Sequence, residues 1–134
     1  MQLPEYFKNT QGTGVLATAD RHGQVNTAIY ARPHCFADGS VAMLMRQRLS
    51  YNNLTENPSA NYLFMEKGNG YQGVRLSLKK IKEDNDPELL KSLKRRYLTP
   101  EEDAARGPTH VVYFSVEKAL QLIGGEEIVL ELGG

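Results

Sequence analysis

The chain has 134 residues, 16 basic and 16 acidic side chains, and 40% hydrophobic residues. That length suits one domain over residues 1–134 with a core of useful size, and the balanced charge excludes the basic excess of a nucleic-acid-binding face. No apolar run nears the roughly 18 residues that cross a bilayer, MQLPEYFKN lacks the pattern of a secretory signal, and a lone Cys35 rules out an internal disulfide, so a cytoplasmic protein is expected.

Residues 3–9 predict a short helix with Leu3 and Phe7 on one side, followed by a strand of small and branched residues, GVLATA, over 14–19. DRHG (20–23) is a turn in which Gly23 can take positive φ. A second strand is predicted over 24–36. Pro33 removes one backbone donor from it, which marks an edge or a bulge, and Cys35 is expected to be half-buried there. Asp38-Gly39 signals a hairpin into a third strand, 41–46.

Ser50 is expected to cap a helix that runs to about Glu56, before a fourth strand over 59–67. In the fifth, 71–84, Val74, Leu76 and Leu78 alternate with Arg75, Ser77 and Lys79, the period of a strand with one wet face. Asp86-Pro87 opens a helix whose apolar stripe is Leu89, Leu90, Leu93 and Tyr97, with Lys91, Lys94, Arg95 and Arg96 in its final turns. Thr99 and Glu102 form a capping box for one more short helix. Residues 110–124 close the sheet, with His110 facing water, and EEIVLELGG is either a last strand or an arm that reaches a neighbour. The turn-length connections among the first three strands exclude parallel pairing. The predicted fold is mainly β, an antiparallel barrel of six to seven strands with a few short helices.

The stretch RQRLSYNNLTENP (46–58) concentrates chemistry. The first N–H groups of a helix have no internal partner and carry the positive end of its dipole. Arg46 and Arg48 would add donors suited to a phosphate. A solvated strand end with an ordinary cap remains the plain alternative. Asn26 in VNTAIY sits mid-strand, where β propensity would not choose asparagine. It fits either a ligand contact or a wet face. His22, His34 and His110 have no metal-ligand spacing, and structural zinc is not expected.

GVLATADRHGQVNTAIY, then GSVAMLMRQRLSYNNLTENPSANYLF, then GYQGVRLSLKKIKEDNDPELLKSLKRRY, then VVYFSVEKALQL resemble, in that order, the pyridoxamine 5'-phosphate oxidase-like family of FMN-binding split β-barrels. The likeness covers residues 5–123 and is strongest to the small single-domain flavin-binding members. Its most specific part is a strand running into S-x-x-N-L-x-x-N-P, here Ser50, Asn53, Leu54, Asn57 and Pro58.

The resemblance implies a homodimer with FMN at its interface. Asn26, Thr27 and Ala28 would line the phosphate and ring edge. Met43, Leu44 and Met45 would run under the isoalloxazine. Arg48, Leu49 and Ser50 would meet the phosphate, helped by Asn53. Leu49 stands where many members carry a base, Leu78 where a glycine is often seen, and the C-terminal segment that holds pyridoxal phosphate in the true oxidases has no counterpart. The implied function is therefore an FMN-dependent oxidoreductase or electron carrier between a small-molecule donor and acceptor, without pyridoxamine phosphate oxidation. The chemistry would belong to the flavin, and no side chain is singled out as catalytic, although Tyr30, His34 and Tyr51 lie near the expected pocket. Two other functions fit the resemblance: a haem-binding or haem-degrading barrel with His34 as axial ligand, and a flavin-free dimeric scaffold.

Overall fold

The computed structural model describes residues 1–94 and 99–132. Four short helices, α1 (Leu3–Asn9), α2 (Leu49–Glu56), α3 (Pro87–Leu93) and α4 (Pro100–Ala105), accompany seven strands. The strands are β1 (Gly12–Ala19), β2 (Val25–Ile29), β3 (His34–Cys35), β4 (Val41–Arg46), β5 (Ser59–Glu66), β6 (Gly73–Asp84) and β7 (Thr109–Gln121). They form one antiparallel sheet in the order β2-β1-β5-β6-β7-β4-β3. Its two edge strands, β2 and β3, are consecutive in sequence, so residues 30–33 form the seam where the sheet has curled around its core.

The predicted alternation in β6 is present: Val74, Leu76 and Leu78 are buried, while Arg75, Ser77 and Lys79 are not. They join Leu16, Met43, Met45, Tyr62, Phe64 and Phe114 in the core, and α1 closes one side of it with Leu3 and Phe7. Gly14 is needed for this packing, since a Cβ there would fall 2.6 Å from the Tyr30 carbonyl oxygen and closer still to the Tyr62 hydroxyl. That close approach lets Tyr62 donate to the Tyr30 carbonyl at 3.1 Å and fix the seam. Arg32 braces the same seam, donating to the carbonyls of Phe7 (2.7 Å) and Thr10 (3.0 Å).

Several expectations need correction. The second strand is interrupted: β2 ends at Ile29 and β3 is only His34–Cys35, because Pro33 has no ladder donor to offer between them. The expected cap is displaced two residues. Arg48 is the N-cap of α2, no side chain caps that helix, and Ser50 lies inside its first turn, buried. His110 does not face water; it stacks on Tyr51 with ring centroids 4.6 Å apart. The tail folds back on its own chain rather than forming a strand of the sheet. Its only bridge among the described residues is Leu120 with Glu127, and the Met1 ammonium donates to the Val129 carbonyl at 2.8 Å. Asp86 and the Thr99–Glu102 box cap α3 and α4 as expected. The expected stripe residue Tyr97 and the bases Arg95 and Arg96 lie outside the described residues, as do the last two residues of the tail.

Candidate functional site

The start of α2 is the first component of the site. Its leading N–H groups are left without a side-chain cap, Arg48 stands exposed at the N-cap, and the helix points its positive end toward the seam. Ser50 is turned inward and buried, with its hydroxyl beside that of Tyr30. Burial pushes the Tyr30 hydroxyl above its ordinary pKa, while the Ser50 hydroxyl and the Arg48 charge oppose that rise. An anion placed here would meet a guanidinium, a hydroxyl pair and uncapped amides.

The second component is a cleft of about 330 Å³ beside it, within the size range of small-molecule sites, about 300–1,000 Å³. Tyr30 belongs to both parts. The floor is the face of β4 carrying Leu44 and Arg46, and the far wall is the α3–α4 insert, with Lys94 and Arg106. No carboxylate lines this cleft among the described residues. Arg46 is anchored by Asp103 at 2.8 Å and by the Gly107 carbonyl, and Lys94 reaches the same Asp103 oxygen at 3.3 Å. The Arg46 bond first, and then the Lys94 bond, hold the Asp103 carboxyl below its usual range.

The residues singled out from sequence are distributed unevenly around this geometry. Arg48 and Ser50 lie together at the helix start, with Leu49 exposed between them. Leu44 and the edge of Met43 reach the cleft, but the Met43 and Met45 side chains are core residues. The run Asn26-Thr27-Ala28 is divided by the strand period. Asn26 and Ala28 are half-buried on the inner face, opposite Thr18 and Leu16, and Thr27 is exposed on the outer face. Because β2 is a sheet edge, its outer row of backbone N–H and C=O groups has no strand partner among the described residues. Asn53 is buried and donates to Thr18 at 3.0 Å, which ties α2 to β1 and so fixes the direction of the helix start.

Sequence reasoning did not find Lys94, Arg106 or Thr109 as cleft residues. They come from the insert and the start of β7, which are brought to β4 by the β4–β7 pairing that ends at Arg46 and Thr109 and by the bonds of Arg46 to Asp103 and Gly107. His34, the histidine weighed as an axial ligand, also lines this cleft. No group of three metal-ligating side chains occurs among the described residues.

Beneath α2 lies a polar plug. Tyr51 donates to Glu83 at 2.7 Å, Lys80 donates to the other Glu83 oxygen at 2.8 Å, and Gln47 Nε2 lies 3.0 Å from His110 Nε2. The Lys80 bond, followed by the Tyr51 bond, holds the Glu83 carboxyl below its ordinary value, and the Glu83 bond pushes Tyr51 up. A carboxyl with a lowered folded-state pKa stabilises the fold above its unfolded pKa, about 4.3, and this contribution is lost as pH falls through the lower folded value. Urea midpoints measured from pH 6 down to pH 3 should therefore fall less steeply for Glu83→Gln than for the parent protein. Identical slopes would show that Glu83 carries none of the acid sensitivity.

No protein-family model matches this chain, and no curated protein matches it in sequence. Solved structures match it in shape. An FMN-binding protein from Syntrophomonas wolfei subsp. wolfei superposes with a TM-score of 0.71 at 17% identity, covering 92% of this chain and 85% of its own. HupZ from Group A Streptococcus gives 0.68 at 17% identity over 95% and 96%. A protein provisionally named a pyridoxamine 5'-phosphate oxidase, from Lactobacillus delbrueckii, gives 0.62 at 16% identity over 85% and 86%. The chain thus has the split-barrel fold of the pyridoxamine 5'-phosphate oxidase-like, FMN-binding proteins.

Proposed function

We propose that this split barrel is an FMN-binding flavoprotein, an oxidoreductase or electron carrier that works as a homodimer. The observation that carries the reading is the uncapped start of α2, with Arg48 exposed at its cap and the Ser50–Tyr30 hydroxyl pair beside it. That donor set fits a phosphate dianion. Arg48, Ser50 and the first amides of α2 would hold the phosphate. The free backbone edge of β2 at Asn26, Thr27 and Ala28 would meet the cofactor's polar edge, and Leu44 in the adjoining cleft would supply an apolar seat for the ring. The flavin, when bound, supplies hydride or electron transfer. The residues around it bind, orient and restrict water.

The outer sheet face supports the dimer. Val25 is 80% exposed and Ile29 71%, and they continue through Val15 to Leu63 and Met65 on the neighbouring strands. Such a row of apolar side chains on an open face marks a surface that another protein covers. A second copy would bring its own β2 edge close to the same region.

The deciding experiment is a visible absorption spectrum of the purified protein before and after incubation with FMN and desalting. Retained oxidised-flavin bands are expected at one per protomer. A Soret band instead, lost in His34→Ala, would favour the haem-binding alternative. A protein that stays colourless after incubation would favour the scaffold.

A further inference from the structure

We propose that the cleft between β4 and the α3–α4 insert receives the flavin's reaction partner, and that this partner is a small molecule carrying a carboxylate or a phosphate. The inference rests on the flavin reading for the partner's role, while the anion site rests on the cleft itself.

Three observations converge. The lining carries three cations, Arg46, Lys94 and Arg106, and no carboxylate among the described residues; Asp103, outside that lining, pairs with both Arg46 and Lys94. Arg106 has no side-chain partner among the described residues. Thr109 Oγ1, on a cleft-lining residue, is buried and has no hydrogen-bond partner among the described residues. An unpaired buried hydroxyl is uncommon in folded proteins and costs free energy unless a ligand or water meets it.

These groups are separate from the helix-start site. Arg48 and Ser50 do not line the cleft, and Lys94, Arg106 and Thr109 lie across it on the insert and β7. A cofactor held by its phosphate at α2 with its ring against Leu44 would leave this far wall facing whatever approaches the ring. An anionic molecule would be drawn there by the cations. Arg46, fixed by Asp103, would act as a rigid donor, while Lys94 and Arg106 would complete the contact.

The test uses flavin-loaded protein at constant ionic strength, titrated separately with inorganic phosphate and with succinate. Binding is followed by the shift of the flavin band and by calorimetry. Saturable binding of at least one anion is expected. The Lys94→Gln/Arg106→Gln double variant should bind at least about fivefold more weakly, the scale of losing exposed charge contacts. Arg21→Gln, an exposed change on the β1–β2 turn, should bind as the parent does. Preference for phosphate or succinate identifies which anionic group the partner carries. Flavin-loaded protein indifferent to both anions, or a double variant that binds them as the parent does, overturns the proposal alone. Protein that takes up no flavin overturns the flavin reading, and the partner's role with it, even where calorimetry still detects the anion.

Discussion

Arg48→Ala is expected to raise the FMN dissociation constant about tenfold or more, since a hydrogen bond to a charged group contributes roughly 1.5–3 kcal/mol. Arg48 occupies the N-cap of α2 without capping it, its side chain is exposed, and it makes no ion pair among the described residues. Truncating it would therefore remove the proposed phosphate contact without disturbing an ion pair or helix cap. Ser50→Ala should weaken FMN as well, by a different route. The hydroxyl is buried beside that of Tyr30, so its loss removes one polar group from the proposed donor set at the helix start. Fluorescence quenching of FMN titrated with protein measures both. Added salt should weaken the parent more than Arg48→Ala, because only the parent keeps that charge contact. Unchanged affinity in both variants would falsify the account of the helix start.

Phe64→Ala should cost the fold about 3–5 kcal/mol, a large share of the total stability of a domain, about 5–15 kcal/mol. Phe64 is fully buried at the centre of β5, between Gly14 of β1 and Val74 of β6. Its ring meets Phe7 edge-on at 5.2 Å and Tyr6 at 6.0 Å. It is the joint between the sheet and α1, so its removal leaves a cavity that the flanking strands cannot close without breaking register. Phe64 itself does not line the cleft, and the folded fraction should take up FMN as the parent does. Urea denaturation should show a lower midpoint with an unchanged slope. A loss under about 1 kcal/mol would mean that the site collapses and that the aromatic cluster is not the joint proposed.

The fold was largely legible because its signals are local. Period-two alternation placed β6, Asp38-Gly39 placed a hairpin, and Asp86 and Thr99 announced two helix starts. Where a side chain's direction depends on a distant partner, sequence gave less. Ser50 has the composition of a cap but is turned inward by Tyr30, twenty residues earlier. His110 sits at a strand start, where exposure is a reasonable default, and is buried because Tyr51 stacks on it. The helix-start half of the site could be anticipated, since Arg48 and Ser50 lie in one short stretch. The cleft half could not: Arg46 meets Thr109 only through β4–β7 pairing, and Lys94 and Arg106 belong to an insert with no contact pattern visible in sequence.

That pairing also governs the order of events when the chain folds. The β1–β2 and β5–β6 hairpins close over short loops, whereas β4 must wait for β7, which follows the whole of β5, β6 and the insert. Sheets dominated by distant pairings fold slowly, in about milliseconds to seconds, because the loop entropy is lost before the contacts form. The strand that brings Thr109 to Arg46 is the last to be synthesised and joins strands already made on both of its sides. A chain still emerging from the ribosome can therefore form the helix start with its Arg48, but it has no cleft until β7 docks.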